Sequence, residues 1–233
     1  MARVPTGTPS FDAPDPVSRE TVTGVEAEPV VAAQIFGARI ELARRFTDQL
    51  AEHGEERGLI GPLEASRLWS RHILNSAVIS EAFESGTRVG DVGSGAGLPG
   101  LVLAIARPDV SWVLIEPMER RVAWLVEQVD LLGLDNVDVV RARAEDYDAG
   151  SGLDAVTARA VSALRTLIPL TAPLVRPNGQ LVLMKGASVE SEISAAEKQI
   201  RRFRLHDARA ERFGEGLLEQ PTTVFRARVS PST

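Results

Sequence analysis

The stretch VGDVGSGAGLPG, residues 89–100, places five glycines and one aspartate in twelve positions. It follows the alternating run TRVGDVG, which reads as a strand, and it opens GLVLAIARP, which reads as a helix. A glycine loop between strand and helix is the context in which such a loop is informative. Gly93, Gly95 and Gly97 can adopt positive φ and bring main-chain N–H groups against a ligand. The helix start behind them carries partial positive charge.

Working outward, the chain keeps the same rhythm. SWVLIEP, VDVVRAR, LDAVTARA and PNGQLVLMKG read as strands. ERRVAWLVEQVDLLG, LRTLIPLTAPLV and SEISAAEKQIRRF read as the helices among them. This alternation predicts an α/β fold with a doubly wound, mostly parallel sheet. HDARAERF and TTVFRARVS are expected to close it as an antiparallel C-terminal strand pair. Upstream, Ile35, Leu42, Phe46 and Leu50 recur at helical spacing over 31–52, and His53-Gly54 ends that run. Pro62 suits a helix start, and LEASRLWSRHILNSAVISEAF carries a second helix to about Phe83. Both are read as an N-terminal helical cap spanning 29–86, ahead of a sheet domain spanning 87–230, the two forming one globular unit. Residues 1–28 are rich in Pro, Thr, Ser and acids and are expected to be a disordered tail.

Two carboxylates sharpen the glycine loop. Asp91 stands two residues before Gly93, giving D-x-G-x-G-x-G. An acid there repels a pyrophosphate and suits an ammonium or sulfonium. Glu116 ends the second strand, where a carboxylate can accept from ribose hydroxyls. Together they favour S-adenosylmethionine over NAD. The structural alternatives are a helix-capping Asp91 and a surface Glu116. Ligands of such sheets lie beyond the carboxyl ends of the strands. Ala144 and Glu145 after strand three are therefore placed beside the adenine, Arg159 after strand four where a second substrate meets the methyl donor, and Lys185 at the end of strand five.

Composition excludes several classes. The 233 residues contain no cysteine, so disulfides, thiolate metal sites and cysteine nucleophiles are ruled out, and the cytoplasm is the default compartment. No apolar run approaches the ~20 residues that cross a bilayer, and no secretory signal is recognised. His53, His72 and His206 form no metal constellation. The net charge of −6 argues against a polyanionic partner at first sight. Arg201–Arg228 nevertheless holds seven arginines against four acids, which is either a solvated face or a phosphate-binding patch. Nothing demands more than a monomer.

The segments RLWSRHILNSA, VGDVGSGAGLPGLVLAI, ERRVAWL, ARAED, TARAVSAL and LVLMKGAS, in that order, resemble the bacterial small-subunit rRNA guanine-N7 methyltransferase family (RsmG, formerly GidB) across roughly residues 31–226. The resemblance implies a class I, Rossmann-like methyltransferase fold and S-adenosyl-L-methionine as methyl donor. It implies a guanine N7 in the 530 loop of 16S rRNA as target, presented by the rRNA, the small ribosomal subunit or an assembly intermediate. It places cofactor contacts on Gly93, Leu98, Ala144, Glu145 and Arg159, and functional roles near Arg71, His72 and Lys185. Three positions depart from the family pattern: Asn75 for a common Asp, Glu116 for Asp, and Arg120 for Lys. Guanine N7 carries a lone pair and no proton at neutral pH, so its methylation needs positioning rather than a general base. Arg159 is expected to supply that positioning. Trp69 is a stacking surface for the target base or, alternatively, a packing residue. Rival readings are a small-molecule or protein methyltransferase of the same fold, and an NAD-binding regulator.

Overall fold

The computed structural model describes residues 24–159 and 162–231. Seven strands form one sheet: β1 (Arg88–Val92), β2 (Ser111–Ile115), β3 (Val137–Val140), β4 (Leu153–Arg159), β5 (Val175–Lys185), β6 (Leu205–Phe213) and β7 (Thr222–Val229). Their order is β3-β2-β1-β4-β5-β7-β6. β1 pairs in parallel with both β2 and β4, so the chain reverses its direction of travel across the sheet at β1. β7 pairs antiparallel with β5 and with β6, as the alternating C-terminal runs predict.

Helices fill both faces. α4 (Gly100–Ala106) follows β1, α5 (Glu119–Leu132) follows β2, α6 (Leu164–Thr171) follows β4, and α7 (Val189–Ala195) and α8 (Glu197–Arg202) follow β5. The strand period of two sorts side chains between two cores. On β2, Trp112 and Leu114 enter one core while Val113 and Ile115 enter the other. Because both faces are covered, these strands are near-continuously apolar. α5 ends at Gly133, whose φ of 62° supplies the left-handed residue that closes a helix.

The cap lies on the face that holds Trp112 and Trp124. Its first element is two helices, α1 (Val31–Phe36) and α2 (Ile40–His53), where the spacing predicts one. Gly37 at φ 52° breaks the run, and a 3-10 turn over Gly37–Arg39 restarts it. The second cap helix is composite: a 3-10 turn (Ala65–Arg67), a π turn (Leu68–Leu74), the short α3 (Asn75–Ala77) and another 3-10 turn (Val78–Ala82). Its apolar pairs explain the wide turn. Leu68 and Ile73, and Trp69 and Leu74, stand five apart and are all buried, matching i→i+5 geometry. Side chains fasten this helix's end to the sheet domain. Arg107 donates to the carbonyls of Ser80 and Phe83 at 2.8 and 2.6 Å, and Gln180 donates to Ala82 O at 2.7 Å.

Of the stretch expected as a tail, residues 1–23 lie outside the described residues. Glu28 holds Arg44 through contacts of 2.6 and 2.7 Å, and the Glu26 carboxylate accepts from the Ser70 N–H at 2.9 Å. The chain is therefore already pinned to the cap before Pro29. Among the described residues no helix is long and apolar enough to cross a membrane.

Candidate active site

The carboxyl end of β1 passes directly into the glycine loop. Gly93, Gly95 and Gly97 have φ of 73°, 56° and 93°, the left-handed region that the sequence pattern anticipates. The Gly93 N–H is taken by Ile115 O at 2.8 Å, which ties the loop to the end of β2. Leu98 is buried and precedes Pro99 and the first turn of α4.

Asp91 is wholly buried. Its Oδ2 accepts from the Gly100 N–H at 3.0 Å, so the helix-capping alternative is realised at one oxygen. Oδ1 has no hydrogen-bond partner and lies buried at the loop. Burial pushes this carboxyl up to about 7, and the Gly100 hydrogen bond only partly offsets the loss of water. Glu116 is 2% exposed rather than a surface acid. Its oxygens accept from the N–H groups of Gly95 at 3.0 Å and Met118 at 2.9 Å, and Arg121 stands 4.0 Å away. Each carboxylate oxygen retains a further lone pair for a hydroxyl. Ala144 and Glu145 begin a 3-10 turn beyond β3, with Ala144 buried and Glu145 exposed.

Arg159 ends β4 and reaches the cap. It donates to the carbonyls of His72 and Arg71 at 3.3 and 3.4 Å, to Ser76 Oγ at 3.3 Å, and to His72 Nδ1. Burial and the neighbouring Arg71 charge lower its guanidinium to about 10. Because Nδ1 accepts, His72 carries its proton on Nε2, which donates to Glu64 at 2.6 Å. Burial, then the Arg159 charge, pushes His72 below the usual imidazole range, so it stays neutral. Glu64 also meets Arg67 at 2.7 Å and Arg71 at 3.4 Å. Burial raises the Glu64 carboxyl, but its His72 and Arg67 hydrogen bonds outweigh that and hold it below the usual range.

Arg71, Arg159 and Lys185 line one cleft of about 900 Å³ with Gly186, Arg212 and Glu219. The cleft lies beyond the ends of β4 and β5, where ligands of doubly wound sheets bind. Lys185 is not a free cation there. It donates to Ser162 O at 2.8 Å and pairs with Glu192 at 2.7 Å, while Glu192 also accepts from the Leu164 N–H at 2.9 Å. The structure thus gathers Asp91, Gly93, Gly95, Gly97, Leu98 and Glu116 at the glycine loop, and Arg71, His72, Arg159 and Lys185 around the neighbouring cleft. Arg159 and Asp91 are close enough for each charge to shift the other's titration.

Glu64 and Glu192 belong to this arrangement and carry no sequence motif. Glu64 stands eight residues before His72, past a turn in which Leu63 has φ 70°, and Glu192 meets Lys185 only through the fold. Trp69 is 4% exposed inside the cap core, so it packs and offers no face for stacking. The C-terminal arginines are largely engaged: Arg201 with Glu197, Arg209 and Arg226 with Glu211, and Arg212 with Glu215. That arrangement fits a solvated, internally paired face better than a bare phosphate patch.

Comparison with known proteins bears on this geometry. A family model described as rRNA small subunit methyltransferase G (GidB) matches residues 39–219. A protein named Ribosomal RNA small subunit methyltransferase G from Leifsonia xyli subsp. xyli is 64% identical over 205 residues, covering 88% of this chain and 98% of that protein. One of the same name from Corynebacterium glutamicum is 49% identical over 203 residues, covering 86% of this chain and 91% of its own length. Among solved structures, a SAM-dependent methyltransferase from Aquifex aeolicus aligns with a TM-score of 0.55 at 20% identity, covering 76% of this chain and 97% of that one. The M. jannaschii TYW2 structure in complex with AdoMet aligns with a TM-score of 0.55 at 17% identity, covering 71% and 78%. These structural likenesses establish the class I methyltransferase fold.

Proposed function

The chain belongs to the rRNA small subunit methyltransferase G family, and on that premise we propose how its residues divide the work. It is an S-adenosylmethionine-dependent methyltransferase that acts on guanine N7 of 16S rRNA. The target is assigned to the 530 loop, the compartment to the cytoplasm and the working unit to a monomer. Residues 29–86 serve as a cap on the 87–230 catalytic domain. The observation that carries the reading is the junction of two unlike places: a main-chain loop with a buried carboxylate, and an adjoining cleft edged by Arg71, Arg159, Lys185 and Arg212.

The loop fits the methyl donor on one point of chemistry. Asp91 Oδ1 is a buried acceptor without a partner, and a cationic group satisfies it. Gly93, Gly95, Gly97 and Leu98 form the cradle, Glu116 takes ribose hydroxyls, and Ala144 and Glu145 flank the adenine. S-adenosylmethionine supplies the electrophilic methyl group. Guanine N7 already presents its lone pair, so no residue has to remove a proton. The chain's contribution is to hold N7 in line with the methyl group and to exclude water, effects worth roughly 7–11 kcal/mol. Arg159 supports this as a positioning residue, fixed by His72, Ser76 and the Arg71 carbonyl. Glu64 sets the His72 tautomer that receives Arg159, and Glu192 braces Lys185 and the start of α6 together. Arg71 offers the cleft an exposed cation beside Arg159, with a side chain 55% accessible.

The test is incubation of the protein with labelled methyl donor and small subunits from a strain lacking the modification, followed by mapping of the labelled nucleotide. Label at N7 of one guanine in the 530 loop is expected. Label elsewhere, or transfer only to small molecules, overturns the assignment.

A further inference from the structure

The cations of the substrate cleft are already engaged, whereas among the described residues neither of its two acids has a side-chain hydrogen bond or ion pair. Arg71 meets Glu64, Arg159 is held by the cap, Lys185 meets Glu192, and Arg212 meets Glu215 at 3.3 Å. Two carboxylates line the same cleft, Glu190 and Glu219. Glu190 has a structural reason to be acidic, because it lies in the first turn of α7, where the helix favours negative charge. Glu219 has none. It is exposed in the turn between β6 and β7, and among the described residues no hydrogen bond or ion pair engages its side chain. It also lines the adjoining cavity of about 370 Å³ with Arg67, Arg71, Asn75 and Gln220, so it stands where the two hollows meet. An unpaired acid at the mouth of a site that admits a polyanion opposes binding unless the ligand brings donors to it.

Guanine brings such donors. Its Watson–Crick edge carries N1–H and N2–H₂ side by side, matched to the two oxygens of one ionised carboxylate, which only accepts. Adenine, cytosine and uracil each set an acceptor beside their donor on that edge, and the carboxylate repels it. Bases unstacked from RNA are commonly recognised along this edge. A guanine held there keeps N7, on its opposite side, free of protein contact. We infer that Glu219 is a specificity-determining residue: its carboxylate accepts from N1–H and N2–H₂ of the target guanine and so selects guanine for N7 methylation. The inference rests on the cleft being the target-base site, as proposed above.

The test compares the full-length protein with Glu219→Gln, Glu219→Ala and Glu190→Gln. The substrates are rRNA with guanine or with inosine at the target position. Inosine keeps N7 and N1–H but lacks the N2 amino group. The wild type is expected to lose about tenfold or more in kcat/KM on inosine, in line with one bidentate base contact. Glu219→Gln and Glu219→Ala are expected to lose roughly tenfold to a hundredfold on guanine, with the guanine-to-inosine ratio falling toward one. Calorimetric affinity for S-adenosylmethionine and the melting temperature should stay at wild-type values, which separates recognition from folding. Wild-type kcat/KM in both Glu219 variants, or an unchanged ratio, overturns the inference, as does a collapse of the ratio in Glu190→Gln instead. A wild type that labels neither RNA removes the reading of the cleft and this inference with it. An active wild type with indifferent Glu219 variants removes this inference alone.

Discussion

The glycine loop and the cleft beside it are built from opposite materials. The loop works through main chain: three left-handed glycines, N–H groups and two buried carboxylates whose partners are N–H groups of the loop and of the following helix or turn. The cleft works through long side chains from four elements, and each cation is pre-paired before any substrate arrives. Main chain cannot be exchanged by substitution, but its conformation can be spoiled. Side chains can be exchanged, and their supports with them. A cofactor that never varies suits the first method, while a large RNA substrate suits the second.

The most damaging way to probe this contrast is Gly95→Asp. An added Cβ there meets nothing nearer than Gly93 O at 3.7 Å, so space is not the obstacle. The φ of 56° and a second negative charge beside Glu116 are. Cofactor affinity measured by calorimetry should fall by at least a hundredfold while the protein still folds. Near-normal affinity would break the claim that conformation governs this side. Gly97→Ala is a useful contrast, because its Cβ would collide with Leu101 and folding itself should suffer.

Arg159→Lys probes the other side. Lysine keeps the charge but cannot span His72, Ser76 and the Arg71 carbonyl at once. Methyl transfer should fall about tenfold or more, and stability by about 1–3 kcal/mol as buried acceptors lose their donor. Full activity would show that charge alone suffices and that the fork geometry is incidental.

Asp91→Asn sharpens the comparison through pH. The folded carboxyl titrates near 7, above its unfolded value of 3.8, so the folded state binds the proton more tightly. That group's contribution to stability is therefore complete below pH ~4 and declines as pH rises toward 7. The amide variant escapes the decline. Without cofactor it should melt clearly higher than wild type at pH 8, since ~1 kcal/mol is about 2–4 °C for a chain this size and a rise of about three pKa units is worth several times that. At pH 4 the gap should close, and cofactor affinity should drop at every pH. Identical melting curves at pH 8 would mean that the buried acid costs nothing.

The smallest effect is expected at the cap's outer edge. Glu28→Ala removes the pair with Arg44, a surface ion pair, and should leave the midpoint of a denaturant melt close to that of wild type. A clear loss would make the segment before Pro29 part of the core fold.

Sequence pattern carried the sheet further than the cap. The strand–helix alternation and the D-x-G-x-G-x-G loop placed β1, α4 and the position of Glu116, because glycine spacing and period-two burial are local properties. The cap hid more. LEASRLWSRHILNSAVISEAF carries helical spacing, but over one or two turns apolar repeats of three, four and five residues overlap, so a composite of 3-10, π and α turns reads as one helix. Gly37 is a local sign of the break between α1 and α2, but the helical spacing of the apolar residues runs straight through it. The acids that support the cleft were illegible for another reason. Glu64, Glu192 and Glu219 sit in ordinary sequence, and only tertiary placement gives each its neighbour or leaves it without one.

With its carboxyl pushed up to about 7 by burial, Asp91 carries a proton in part of the molecules in a neutral solution. Arrival of a positively charged ligand stabilises the ionised form and expels that hydrogen ion into the buffer. Binding heat measured at pH 7 should then depend on the ionisation enthalpy of the buffer chosen, and the dependence should vanish when residue 91 cannot ionise.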